Sequence, residues 1–443
     1  MGADRTTVRL HPTREDSFPL GHDDLGSEEL GAAGYVETEL FVSGTAAGER
    51  YTTRALLRAP ENVALFSGVV LVEPMHWMGV RSVWRAARRY FLRQGHAWAE
   101  IACQSTAPRR LKQFDPSRYA DIALVDGARD EKPSEARIGD DAGAARTLES
   151  VRRESDAFRA TWRRANVQSP EIIAQFARAV RDGLTPLTGV TQVFLSGLSQ
   201  SGGIARAFAA EHHARFSADG AVFDGYLPMS SGGDALPDLD VPVIELLGES
   251  ELEELRAQFL LPGQVRGLSH RRADSAHYRL YEVAGMAHTD SRDDPAPGPP
   301  ARLPAGQRWS RFPNAHVVHV ALDSLVRWAR DGVAAPPGRL IETDEHGRIV
   351  RDRHGHARGG LRSPHLDVPL ARVSAIAGAG REWACGSEEP FASDTLRTLY
   401  GSESAYRSAA AARLAELGSE GYYLPDDAAD YLARATWADE GAK

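Results

Sequence analysis

The sequence predicts an α/β fold with a mostly parallel central sheet and helices on both faces. Three observations carry that expectation. Residues 68–74, GVVLVEP, form a continuous β-branched run suited to a strand buried on both faces. The amphipathic stretch VRSVWRAARRYFLRQG follows with a closing glycine, and HAWAEIACQ returns to strand pattern, so strand, helix and strand imply a right-handed crossover between parallel strands. At residues 194–208, FLSGLSQSGGIARAF begins as a strand tail and ends as an alanine-rich helix, with two serines and three glycines crowded between.

The elements follow in order. After a polar lead over residues 1–32, YVETELFVSG (35–44) and RYTTRALLRAP (50–60) alternate like neighbouring antiparallel strands. Residues 105–150 are rich in charge, proline and glycine and read as a solvated excursion in preference to a lid, and helical pattern covers 150–184. Strands are expected at 191–197, 241–248 and 278–285, with the helix after Gly203 between the first two. A proline-rich loop spans 293–306, and AHVVHVALDSLVRWARDG is an amphipathic helix ending at Gly332. The remaining residues, 333–443, carry hairpin-like turns and then helical patterns around 393–418 and 426–436.

Composition narrows the function. The 443 residues are 42% apolar and 26% charged, ordinary for a soluble globular chain that can bury a large core. The formal net charge is −9 and the arginines are scattered among acids, which disfavours nucleic-acid binding. Cys103 and Cys385 exclude a disulfide framework, fit a reducing compartment and read as small buried hydrophobes. The lead lacks an apolar signal core; its loose myristoylation pattern from Gly2 to Thr6 has no second membrane signal beside it. The longest apolar window is interrupted by Glu73, Pro74 and His76, so no membrane span is expected and a cytoplasmic location is. His346, His354 and His356 lie among arginines on a loop-rich stretch and read as solvated turn residues, with no metal site.

The serine turn carries the chemistry. A strand that reverses into a helix within one residue forces that residue into an unfavourable conformation, tolerated when its neighbours are small, and lifts its side chain to the positive end of the new helix. Gly197-Leu198-Ser199-Gln200-Ser201 fits small-x-Ser-x-small, and so does Ser199-Gln200-Ser201-Gly202-Gly203. Register favours Ser199, because the apolar run ends at Leu195 and Ser201 falls in the first helical turn. A serine nucleophile needs a base, and the base an acid that fixes its tautomer. His288 lies just beyond a strand on a glycine-started loop, and Glu251 three residues past the glycine that ends its own strand, with Glu249 the close rival. The backbone N–H of Gln200 is the expected first oxyanion donor; Met75, or alternatively His76, is expected to supply the second. The run MHWM, with His76 and Trp77, would line an acyl pocket. Each of these residues alone has a plainer reading as turn, helix opening or core; their order along the chain favours chemistry.

The segments GYVETELFVSGTA, FDPSRYADI, GLSQSGG, YRLYEVAGMAHTD and GGLRSPHLDVPLA resemble the α/β-hydrolase superfamily, and more narrowly the bacterial alpha/beta hydrolase domain proteins, from about residue 33 to near the C-terminus. The resemblance implies the α/β-hydrolase fold, with a core over 33–332, an insertion around 105–185, and the tail 333–443 as part of the same domain. It also implies a cofactor-independent serine hydrolase of small-molecule carboxylic esters, with Ser199, His288 and Glu251 or Glu249. The chain departs from the commonest superfamily pattern in having Ser201 at the second elbow glycine, a glutamate for aspartate, and no His-Gly pair after the third strand. Acyl transfer, lactone or thioester cleavage, and ligand binding without catalysis are the competing readings, since one fold hosts many functions.

Overall fold

The computed structural model describes residues 6–11, 27–77, 82–125, 160–218, 220–252, 268–292, 303–377, 384–435 and 437. Two compact units divide the chain: Met1–Ser231 with Leu236–Val243, and Gly232–Ala235 with Ile244–Lys443. The expected insertion and proline-rich loop lie partly outside the described residues, at 126–159 and 293–302.

Among the described residues the first unit is built on seven strands: β1 (Thr7–His11), β2 (Tyr35–Ala46), β3 (Glu49–Pro60), β4 (Val69–Pro74), β5 (Ala97–Ile101), β6 (Gln192–Leu198) and β7 (Gly225–Met229). They lie side by side as β1-β2-β3-β5-β4-β6-β7. β1, β2, β3 and β5 pair antiparallel, whereas β5, β4, β6 and β7 are parallel. Every residue of β4 and β5 is buried, as a β-branched run covered on both faces requires. The helices are α1 (Ser27–Ala32), α2 (Val83–Gln94), α3 (Ala107–Phe114), α4 (Ser169–Arg181), α5 (Gln200–Glu211) and α6 (His213–Ser217). Ser82 caps α2 by accepting from the Arg85 N–H, and left-handed Gly95 ends it, so the crossover is punctuated at both ends.

A row of buried charge crosses this sheet. Glu39 on β2 is held by Arg54 on β3, by Arg118 and by the Tyr119 hydroxyl at 2.8 Å. Burial alone would raise the Glu39 carboxyl, but the charge of Arg54 and hydrogen bonds from Arg54, Tyr119 and Arg118 outweigh it and hold the group below the usual range. Arg54 also reaches Glu100 on β5 at 3.5 Å. Glu100 faces Glu73 in parallel register. Burial, and then the charge of Glu100, push the Glu73 carboxyl well above the ordinary range.

In the second unit, which takes all of β8 (Val243–Gly248) but its first residue, β8 and β9 (Tyr278–Val283) are neighbours, and β10 (Arg308–Trp309), β11 (Ala371–Ser374) and β12 (Ser387–Pro390) form a separate antiparallel sheet in the order β10-β12-β11. The expected helix after the proline-rich loop is α7 (Asn314–Asp331), ended by left-handed Gly332. α8 (Pro364–Asp367), α9 (Ser393–Tyr400), α10 (Glu403–Ser419) and α11 (Pro425–Arg434) follow, with Gly401 and Ser402 breaking the first of the two expected C-terminal helices. The hairpin-like turns take the form of bridges Ile341↔Gly359, Thr343↔Ile349 and Arg351↔Ala357. Arg339 and Leu361 bridge to β9, so residues after 333 are woven into the same unit.

His346 is exposed on its turn, but His356 departs from the expectation of a solvated residue: it is buried, and its Nε2 accepts the Val373 N–H at 3.1 Å. Cys103 and Cys385 are both buried free thiols. Among the described residues no group of three or more His, Cys, Asp or Glu could hold a metal ion, and no helix is long and apolar enough to cross a membrane.

Burial pushes the His356 imidazole down to about 4, against the opposing charge of Asp352. Because the folded value lies below the unfolded one, about 6.5, stability is complete above that value and is lost as pH falls toward the folded one. His356→Gln, whose amide can still accept from Val373, should remove about 1–2 kcal/mol of the loss that the wild type shows between about pH 7 and 5. Urea unfolding of both proteins across that range measures the difference.

Candidate active site

The turn between β6 and α5 is as tight as the small residues around it require. Ser199 has φ 61° and ψ −117°, a left-handed conformation that costs a non-glycine residue about 1–3 kcal/mol. Its N–H donates to Met229 O at 3.0 Å, and its carbonyl accepts the Gly203 N–H at 2.9 Å, so the helix starts at Gln200 and not after Gly203 as expected. Two glycines permit this. A Cβ on Gly202 would lie 2.3 Å from Met229 O, and one on Gly197 would lie 2.3 Å from the Ser201 carbonyl carbon.

Ser201, the competing serine, is fully buried. Its Oγ accepts the Leu198 N–H at 2.9 Å, and its hydroxyl donates to Leu198 O at 2.9 Å and to Glu73 Oε1 at 3.2 Å. Glu73 also accepts from the Val83 N–H and from Trp98 Nε1. Ser201 therefore ties the elbow to β4 and to the start of α2, while Ser199 occupies the strained turn at the helix N-terminus, where backbone N–H groups have no partner within the helix.

Gln200 is the first residue of α5. Met75 does not fit the role of second oxyanion donor: its N–H donates to Ile101 O at 2.9 Å, prolonging the pairing of β4 with β5. His76, the alternative, is the next residue along that loop and is buried. Trp77 is half exposed, with its N–H toward Gln200 Oε1 at 3.3 Å and the Arg110 guanidinium over its ring. Sequence reasoning missed Gln104. Its Nε2 donates to Met75 O at 2.7 Å, and its Oε1 accepts from Gln200 Nε2 at 2.6 Å, clasping the loop after β4 to the elbow helix. The available signal was a polar residue just past the carboxyl end of β5, where open α/β sheets place their ligands.

In the second unit, His288 and Glu251 meet: Nδ1 lies 2.7 Å from Glu251 Oε1. A carboxylate can only accept, so Nδ1 carries the proton and Nε2 is left with the lone pair of a base. Glu251 is fixed in turn, Oε2 accepting the Gly248 N–H at 2.6 Å and Oε1 the Ser250 hydroxyl at 2.9 Å. Glycine is needed at 248, where a Cβ would lie 2.7 Å from Met286 O. Glu249 points to other partners, pairing with Arg351 at 2.9 Å and accepting the Gly285 N–H at 2.7 Å. Ser199, Gln200 and His76 belong to the first unit; Glu251 and His288 belong to the second.

The model of the alpha/beta hydrolase domain family matches residues 7–433. No protein of curated function matches the sequence. Solved structures similar to the chain include a bacterial brefeldin A esterase, homologous to human hormone sensitive lipase, at 11% identity and a TM-score of 0.25 over 45% of this chain and 40% of that one. A putative dienelactone hydrolase from Klebsiella pneumoniae is 14% identical, with a TM-score of 0.28 over 56% of this chain and 85% of that one. A thermostable esterase from Pseudomonas putida is 10% identical, with a TM-score of 0.27 over 49% and 65%. The match thus spans less than two thirds of the first and third of these proteins.

Ser201→Ala leaves the Leu198 N–H and Glu73 without their shared partner, and should cost about 1–3 kcal/mol of stability. A fluorophosphonate should still label Ser199 in the variant. Urea denaturation together with peptide mapping of the adduct tests both halves.

Proposed function

The chain belongs to the alpha/beta hydrolase domain family, and from that premise we propose that it is a serine hydrolase cleaving small-molecule carboxylic esters through an acyl-enzyme. The observation that carries the proposal is the left-handed Ser199 at the head of α5. Strain of this kind persists where the surroundings over-determine it, and it concentrates at sites of chemistry.

In this reading Ser199 Oγ attacks the acyl carbon while His288 Nε2 takes its proton. The tetrahedral oxygen is held by the Gln200 N–H and, in place of the Met75 amide, by the His76 N–H. The C–O bond to the alcohol then breaks, and the imidazolium returns the proton to the leaving oxygen. Water attacks the acyl-enzyme with His288 again as base, releasing the acid and restoring the serine. Glu251 keeps the proton on Nδ1 and stabilises the imidazolium; its own bonds to Gly248 and Ser250 limit its rotation. Glu249 is assigned to structure, holding Arg351 to the loop that starts at Gly285. Trp77 and His76 are proposed to border the acyl group. The reading requires the side chains of Ser199 and His288 to act as a pair.

Ser199→Ala should abolish the fluorophosphonate adduct and reduce kcat on p-nitrophenyl butyrate by roughly a millionfold. Full turnover by that variant would sink the assignment. Glu251→Gln should lower kcat by about ten-thousandfold, whereas Glu249→Gln should mainly lower the unfolding free energy, by about 1–2 kcal/mol. Kinetics and denaturation of the two variants in parallel separate the roles.

A further inference from the structure

We infer that Asn314 and Asp290 are positioning residues that keep the imidazole of His288 in register with Glu251; the inference rests on the reading of His288 as the base. His288 lies beyond the end of β9, so its placement depends on a small number of anchors. Asn314 Nδ2 donates to the carbonyl of Ala287, the residue immediately before it, at 2.9 Å. On the other side, Asp290 Oδ2 accepts the Ala315 N–H at 3.1 Å, and its Oδ1 accepts the Arg292 N–H at 2.8 Å. Both anchors come from the first turn of α7, an 18-residue helix in which Asn314 itself is buried.

The pattern is not explained by helix capping alone. Pro313 at the N-cap gives no side-chain cap; the Asn314 and His316 amides bond to Phe312 O and Pro313 O, and the Asp290 carboxylate takes the Ala315 amide between them at the positive end of the helix. Capping does not require a buried asparagine to give its amide to the carbonyl next to His288. The helix is itself fixed one residue further on. His316 Nδ1 lies 2.6 Å from the Tyr423 hydroxyl and its Nε2 lies 3.0 Å from Asp430, which also binds Arg292 at 3.0 Å. The loop is thus tied to α7, α7 to α11, and α11 back to the loop. The action of Asn314 and Asp290 on the imidazole passes through the loop backbone.

Loss of the Asn314 donor frees the carbonyl before His288, and a displacement of about 1 Å in a reacting group costs on the order of a hundredfold in rate. The variant Asn314→Ala should therefore lower kcat on p-nitrophenyl butyrate by about that factor, counted per serine titrated with fluorophosphonate, with KM changed less than about threefold. Its low-field proton resonance from His288 Nδ1–H, identified in the wild type by its loss in Glu251→Gln, should shift or broaden. Asp290→Ala should act in the same direction, and Asp290→Asn, which keeps an acceptor for Ala315, should restore most of the rate; this pair decides the matter if Asn314→Ala does not fold. Wild-type kcat per titrated serine together with an unmoved resonance in the alanine variants would overturn the inference and leave the hydrolase reading intact. Failure of the wild type to label at Ser199 would overturn the hydrolase reading and this inference with it.

Discussion

The approach of α5 to the end of β7 is the constraint on which the candidate site depends. With no side chain at 202, the helix backbone can sit against Met229 O, and the chain leaving β6 must then turn within a single residue. Ser199 absorbs the whole change of direction, accepting a left-handed φ and donating its N–H to the same carbonyl. Its hydroxyl is thereby set at the positive end of a helix. Ser201 and Glu73 reinforce the turn from beneath, with one hydroxyl serving both the strand end at Leu198 and a buried carboxyl on β4. Buried polar groups of this kind are costly when half satisfied, and strengthen one another when each has a partner.

The two glutamates of the segment after β8 illustrate how neighbours assign roles to identical side chains. Glu249 faces a guanidinium and a backbone N–H, partners that hold a carboxylate still and consume its lone pairs. Glu251 faces an imidazole, a partner whose tautomer it selects. The difference lies in which residues the fold brings opposite each carboxylate.

The sequence revealed much of this and hid the rest for identifiable reasons. The β-branched run of β4, the crossover to β5 and the glycine-flanked serine were legible because local pattern and tertiary position agree there. β7 was not, since GYLPM contains a glycine and a proline that argue against a central strand. β1 lies in a polar lead and is stabilised by its pairing with β2, a tertiary effect. The choice of Ser199 could be argued from register, but the reason for Gly202 required the position of Met229 O. Met75 was a misassignment of the same origin: only the length of the β4–β5 pairing reveals that its amide is taken. His356 looked solvated because its neighbours are polar, although its partner, Val373, comes from a strand further along the chain.

The residues around the histidine loop come largely from the end of the chain. Thr289 donates to Ala384, Ala284 donates to Leu361, Glu249 pairs with Arg351, and Arg292 pairs with Asp430. Proteins are made from the N-terminus, and domains generally fold in that order. Every contact that shapes the serine turn can form while the ribosome is still adding the second half, whereas the histidine loop waits for its final anchors until α11 has emerged. A nascent chain thus holds every partner of its elbow before it holds those of its imidazole's loop.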